Sequence, residues 1–237
     1  MKPIDIVILS HNRKGYLQRM VTAITGRTHY PFRLIVADNN SDADTREYLA
    51  SLKAENSIDI LELNETNLFM NGWHAGLRHV ISDVFVLSDP DIVVPDLHPC
   101  WLSRMYSCFE DIPELVRLGA ALSMDNIPPC WNRYEGRFLA LKTGKPLPPN
   151  KSIRQCVPDT TLQMIRSSAF AHLNGFSAET VDFEFLKQLN AIGWCGVHQD
   201  IICTHLGWDE YRDYPDYLRF KNETIREYRE VRLIPHS

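Results

Sequence analysis

Two acids two residues apart, Asp89 and Asp91, close the apolar run Val84 to Leu87 and are held at fixed spacing by Pro90. Carboxylate oxygens so placed suit a divalent cation, Mn²⁺ or Mg²⁺, that completes its coordination with phosphate oxygens and water. Metal plus diphosphate is therefore the first chemistry the chain suggests. Asp-x-Asp recurs by chance, and Asp42-Ala43-Asp44 is a second copy. What distinguishes Asp89 and Asp91 is the run in front of them. Its β-branched and aromatic residues read as a buried parallel strand, and open α/β sheets bind ligands at the carboxyl ends of their strands. The alternative is a pair of solvated acids at a strand end.

The elements that must position this pair precede it. Ile4 to Leu9 predicts a first strand ending in Ser10-His11-Asn12-Arg13, after which Tyr16, Leu17, Met20, Val21 and Ile24 recur at helical spacing. Ser10 and Asn12 are cap residue types, and Arg13 stands at a helix start, where backbone N–H groups and the macrodipole favour an anion. Phe32 to Ala37 predicts a second strand ending at Asp38, followed by a helix over Thr45 to Leu52. This β-α-β-α alternation calls for a parallel sheet with right-handed crossovers, which puts Asp38 on the same rim as Ser10 and Asp89. A carboxylate there can accept from a nucleobase N–H or a ribose hydroxyl. Ile58 to Leu63 predicts a third strand, Asn64 to Gly72 a polar loop and Trp73 to Val80 a helix.

Composition narrows the partners. With 237 residues and 44% hydrophobic content the chain can bury a substantial core. Its net charge of -5 and pI near 6.0 argue against nucleic acid, whose phosphates need a basic face. Neither a secretory leader nor an apolar run of about 18 residues occurs, which predicts a cytoplasmic protein with reduced thiols at its six cysteines.

The second half is less regular. Trp101 to Phe109 predicts a helix and Leu118 to Ser123 a strand. Asn126 to Pro158, with six prolines among Trp131, Arg133, Tyr134, Lys142 and Arg154, reads as a long loop over an acceptor or sugar site. Strand character returns at Thr160 to Ile165, and a short helix begins at Ser167. Phe185, Leu189 and Ile192 then share one helix face, with Asp182 in its first turn. The tail from Asp209 mixes Tyr211, Tyr214, Tyr217 and Phe220 with Arg212, Arg219 and Arg226. Such a helix can lie peripherally on a membrane, which suits a lipid-linked acceptor, whereas Glu223, Glu227 and Glu230 favour packing on the domain.

A first strand ending Ser10-His11-Asn12-Arg13, a second ending Asp38-Asn39-Asn40-Ser41, the Asn67 to Gly72 loop and a strand ending Ser88-Asp89-Pro90-Asp91 occur in the order that resembles family 2 glycosyltransferases of the GT-A fold. The resemblance implies an α/β, Rossmann-like, mostly parallel central sheet flanked by helices. It implies one domain over 1–237, with the nucleotide sugar held by 1–125 and the acceptor by 126–237. By the same resemblance Ser10, Asn12, Arg13 and Asp38 surround the base and ribose, with Asn67 and Asn71 in the following loop. Asp89 lies near ribose and metal, and Asp91 is a metal ligand. His205, after a short apolar strand, completes the metal site. Asp182 corresponds to the general base, although Val181 and Glu184 depart from the family's acidic pattern. The implied reaction moves a sugar from a UDP-sugar to a hydroxyl of a glycan or lipid-linked glycan, with inversion. A retaining transferase, a sugar-1-phosphate nucleotidylyltransferase and a non-catalytic glycan- or nucleotide-binding protein are the alternatives. Against the nucleotidylyltransferase, this chain lacks the Gly-x-Gly such enzymes usually carry after the first strand.

Overall fold

The structure, a computed structural model, describes residues 1–126, 144–156, 161–171, 188–189 and 191–209. Four strands carry the first half: β1 (Ile4–Ser10), β2 (Phe32–Asp38), β3 (Ile60–Leu63) and β4 (Val84–Ser88). Helices α1 (Lys14–Arg27), α2 (Ala43–Ala54) and α3 (Trp73–Leu77) connect them. There follow β5 (Ile92–Val93), α4 (Trp101–Asp111), β6 (Leu115–Leu122), β7 (Pro146–Leu147), β8 (Asn150–Gln155), β9 (Leu162–Arg166), α5 (Ser167–Ala171) and β10 (Trp194–His205).

The strands join one sheet in the order β3-β2-β1-β4-β9-β6-β10-β8-β7, with β5 on the end of β10. β1 pairs in parallel with both β2 and β4, so the chain order reverses across it and opens a crevice at that strand's carboxyl end. β9 runs antiparallel between β4 and β6, and β6 pairs in parallel with β10. Thus β1 to β4, β6 and β10 all point one way, the mostly parallel sheet the sequence predicts.

Period-two alternation divides the core between the two faces. Ile4, Ile6 and Ile8 of β1 with Val84 and Val86 of β4 pack under α1 and α4, while Val7, Phe85 and Leu87 meet Trp73 of α3. α1 buries Leu17, Met20, Val21 and Ile24, the positions its spacing marks out.

Two expectations need correction. No side chain among the described residues caps α1: its N-cap is Arg13, in the left-handed region, and Asn12 is used elsewhere. The proline-rich stretch is not all loop, because β7 and β8 form an antiparallel hairpin and β8 pairs with β10. Apolar Leu147 and Ile153 anchor that hairpin in the main core. Residues 127–143 and 157–160 lie outside the described residues, as do Asp182, Glu184 and the tail beyond Asp209. The five described cysteines carry no disulfide. Among the described residues no helix is long and apolar enough to cross a membrane.

Candidate active site

β-ladder register sets the site. Ser10 lies opposite Asp38 at the ends of β1 and β2, and Ser88 opposite Ile8. Beyond β4 the chain is tied to the head of β9, where the Ser88 hydroxyl donates to the Thr161 carbonyl at 3.0 Å and the Asp89 amide to the same oxygen at 2.9 Å. After Pro90 it turns away as β5, which runs antiparallel to the last residues of β10, pairing Ile92 with His205 and Val93 with Thr204. An irregularity in β10 between His198 and Ile202 bends that strand past β6 to reach β5. The Leu206 amide then donates to the Asp91 carbonyl at 2.8 Å.

These contacts bring Asp91 and His205 together. His205 Nε2 stands 3.5 Å from Asp91 Oδ2, and Arg13 Nη1 approaches the same oxygen at 3.6 Å. Asp91 is almost fully buried, and its Oδ1 accepts no hydrogen bond from any described residue. Gly207 forms the wall behind the pair. A Cβ built there would lie 2.5 Å from Asp91 Oδ2, 3.3 Å from His205 Cε1 and 3.6 Å from Arg13 Nη1. Trp208 stacks edge-on against His205 at 4.9 Å, and Asn126 Nδ2 donates to the His205 carbonyl at 2.8 Å.

A divalent cation fits this cradle. An oxygen and an imidazole nitrogen 3.5 Å apart can both bind one ion at about 2.1 Å. Asp91 Oδ1 is buried without a donor among the described residues, and beside Oδ2 the absence of a side chain at Gly207 leaves room for that ion. Among the described residues no group of three or more His, Cys, Asp or Glu side chains gathers as a metal cluster, and Asp91 with His205 is the pair whose contact is seen. With Asp91 and His205 as its ligands, such an ion would leave most of its coordination shell to water and phosphate.

Asp38 is wholly buried and its carboxylate serves the protein itself. It accepts from the Ser41 amide at 3.0 Å, from the Ser41 hydroxyl and from Arg46 Nε at 3.1 Å. The Ser41 oxygen in turn accepts from the Asn12 amide at 2.7 Å, and Asn12 Oδ1 accepts from the Asp42 amide at 2.8 Å. This relay holds Asn12 and Arg13 at φ 54 and 59, in the left-handed region that a residue such as Arg seldom occupies. Asp42, not Asp38, caps α2: the Thr45 amide beside it holds its carboxyl below the usual carboxylate range.

Asn39 is the other buried hub and was not marked by sequence reasoning. Its Nδ2 donates to Asn67 Oδ1 at 2.7 Å and to the Phe69 carbonyl at 3.0 Å, and its Oδ1 accepts from the Leu68 amide at 2.9 Å. Asn67 also accepts from the Phe69 amide at 2.9 Å, so Asn67 holds its own loop together. A Cβ at Gly72 would meet Asn39 Oδ1 at 2.7 Å, which explains the glycine. Asn71 Oδ1 and Ser10 Oγ are buried with no hydrogen bond from any described residue. Burial pushes the thiols of Cys108, Cys156 and Cys195 up to about 11 and that of Cys203 up to about 12, so these cysteines are poor nucleophiles at neutral pH.

The sequence profile described as Glycosyl transferase family 2 matches residues 5–171. The chain belongs to this family. The match includes the Asp38 relay, the Asn39 hub and both acids of the motif, and it ends before Asp182 and His205. Among solved structures, a mannosyltransferase from Pyrobaculum calidifontis in complex with GDP-Man and Mn²⁺ is similar at TM-score 0.64 and 15% identity, over 86% of this chain and 56% of that one. S. aureus TarS in complex with UDP-GlcNAc is similar at TM-score 0.61 and 11% identity, over 87% of this chain and 61% of that one. GalNAc-T7 with UDP, GalNAc and Mn²⁺ is similar at TM-score 0.64 and 13% identity, over 86% and 43%. The family 2 chain thus spans only about three-fifths or less of the length of these relatives and shares their fold. No curated protein matches it in sequence.

Proposed function

We propose that this protein transfers a sugar from a nucleoside-diphosphate sugar, with uridine as the base, to a hydroxyl of a glycan or lipid-linked glycan, with inversion and in dependence on Mn²⁺ or Mg²⁺. The observation that carries the reading is the meeting of Asp91 and His205 at 3.5 Å, on the rim where α/β sheets bind nucleotides. Asp91 and His205 would hold the cation, which when bound supplies Lewis-acid neutralisation of charge on the departing diphosphate.

The chain's own residues do the rest. Ser10 and Asn12 line the nucleoside end, Asp38 shapes it through Ser41, and Asn67 and Asn71 belong to the loop that closes it. Asp89 is assigned to the ribose and, with Asp91 and His205, to the cation. Asp182 serves as general base: it accepts the acceptor hydroxyl's proton while that oxygen bonds to the anomeric carbon. The bond from that carbon to the diphosphate oxygen breaks, and the diphosphate leaves with the bonding pair. A single displacement of this kind inverts the centre. Uridine is supported by the UDP and UDP-GlcNAc complexes of TarS and the UDP complex of GalNAc-T7, with guanosine, as in GDP-Man, the rival.

The test is a thermal-shift series with UDP, GDP and their sugars, with Mn²⁺, Mg²⁺ or chelator, because a specific ligand raises the melting temperature by mass action. Release of labelled sugar from the donor that shifts it, with NMR of the product's anomeric proton, follows. A metal-dependent shift with UDP supports the reading. No shift with any nucleoside diphosphate overturns it, and a retained configuration overturns the single displacement.

A further inference from the structure

We propose that Arg13 is a resident counter-ion of the cation site: it holds Asp91 in the empty protein and moves to the diphosphate on loading, so that cation and nucleoside diphosphate bind cooperatively. This rests on the reading above that Asp91 and His205 hold a divalent cation.

Asp91 is buried, with a side chain only 6% exposed, and a buried carboxylate needs a compensating charge. His205 carries that charge only when protonated. Arg13, whose guanidinium stays ionised at any working pH, carries it always. Its Nη1 lies 3.6 Å from the same Oδ2 that faces His205, so an incoming cation and the guanidinium compete for one oxygen. Like charges at that spacing repel, and the cation alone binds against the arginine.

The path out is also in the structure. The Asn12 amide is fixed by Ser41 and the Arg13 backbone opens α1, so what can move is the side chain, 34% exposed toward solvent. α1 is 14 residues long and starts at Lys14, directly after Arg13, with no side-chain cap among the described residues. A helix start favours an anion, and this one follows directly on the residue that makes the contact to Asp91. A diphosphate seated there offers Arg13 a bidentate partner stronger than the long contact to Asp91. Arg13 then leaves Asp91 to the cation, and each ligand raises the other's affinity by the same factor. The sequence reading put Arg13 at the base and ribose; the geometry points to the cation and phosphate end.

Mn²⁺ affinity measured by electron paramagnetic resonance of the free ion, with and without saturating UDP and in a second arm GDP, tests this without reference to turnover. In the wild type one of these nucleotides is expected to tighten Mn²⁺ by a factor within the roughly 5- to 150-fold range of such couplings. Arg13→Gln, no worse suited than arginine to a left-handed backbone, is expected to bind Mn²⁺ alone about tenfold more tightly and to lose most of the coupling. Arg13→Lys restores the charge and is expected to return the affinity toward the wild-type value, which a merely structural role for Arg13 does not predict. If Arg13→Gln binds Mn²⁺ alone no more tightly than wild type, or keeps its full coupling, the counter-ion role is overturned and the cation site stands. If the wild type binds no Mn²⁺ under any of these conditions, the cation reading falls and this inference with it.

Discussion

Gly207→Ala is the sharpest test of the cradle, because the structure states what the added methyl meets. The new Cβ would lie 2.5 Å from Asp91 Oδ2, against an ordinary van der Waals contact of 3.4 Å or more, so the carboxylate oxygen must retreat by about 0.9 Å. Asp91 is buried, and its backbone is pinned by the Leu206 amide, so the retreat is a rotation of the side chain away from residue 207 that alters its 3.5 Å contact to His205. Metal–ligand distances tolerate only about 0.2 Å, so the shift removes Asp91 as a ligand to any cation that His205 also binds. Disturbing support for a metal ligand typically costs about 10- to 100-fold in affinity, which is roughly 1.4 to 2.7 kcal/mol. The fold should suffer less: overpacking costs about 1 to 3 kcal/mol, and here one rotatable side chain absorbs it. Titration calorimetry with Mn²⁺ in the presence of UDP reads the first quantity and a urea melt the second. An alanine variant that binds Mn²⁺ as tightly as wild type would refute the cradle, since no cation could then occupy the space its methyl fills.

Other groups of the chain carry expectations of their own. Asp38→Ala strips the carboxylate from Arg46 and from the Ser41 amide; with Arg46 one-third exposed, the loss is about 2 to 3 kcal/mol in urea unfolding, and a loss under about 1 kcal/mol contradicts the buried relay. Asp182→Asn is expected to leave Mn²⁺ and UDP binding intact while lowering kcat by about 10² to 10⁴, and near-normal turnover moves the base elsewhere. Glu62 is held below its ordinary 4.5 by the Arg78 hydrogen bond, so its stabilisation is complete above that value and lost as pH falls through the lower folded one. The gap in melting temperature between wild type and Glu62→Gln should therefore close in acid; a constant gap refutes the ion pair. Burial lowers the His198 imidazole below 6.5, so the unfolded chain takes up the proton first and stability falls as pH drops below that value. His198→Gln should flatten that slope.

The first half of the fold was legible because its signals are local. Apolar runs ending in polar residues, alternating with helical spacing, predict β1 to β4 in order, and the parallel sheet follows from connection rules. The pairing of β5 with β10 was not legible. Only two residues of β5 are strand, and their partner lies at the far end of the chain, so no periodicity announces it. The resemblance supplied His205, and this pairing supplies the reason it meets Asp91. Gly207 could have been suspected, since a glycine two residues after a ligand-type histidine at a strand end often marks a close approach. Asn39 offered less, because nothing in Asp38-Asn39-Asn40-Ser41 says which polar residue turns inward. The β7–β8 hairpin was hidden by its prolines, which demote a stretch from strand in any reading by propensity.

The mistaken cap assignment carries a physical lesson about this rim. Asn12 and Arg13 occupy left-handed conformations, as does Phe69 at φ 49, and for residues like arginine and phenylalanine each costs about 1 to 2 kcal/mol. Such conformations persist only when their surroundings over-determine them. Here the surroundings are two buried polar hubs on neighbouring residues at the end of β2, its last residue Asp38 reaching the first loop through Ser41 and the next residue Asn39 reaching the third through Asn67, Leu68 and Phe69. Both hubs hang from the carboxyl end of one strand, β2. The backbone of the nucleotide rim is thereby set before any ligand arrives, and adaptation is left to side chains such as Arg13. A ligand that finds the backbone already ordered loses less entropy on binding. Asp38→Ala should accordingly weaken UDP binding even though Asp38 itself is buried, and it should do so with chelator present, because the hub orders the loop and not the cation. If UDP affinity in chelator survives that substitution unchanged while stability falls, the hub serves folding alone and the order of the rim comes from elsewhere.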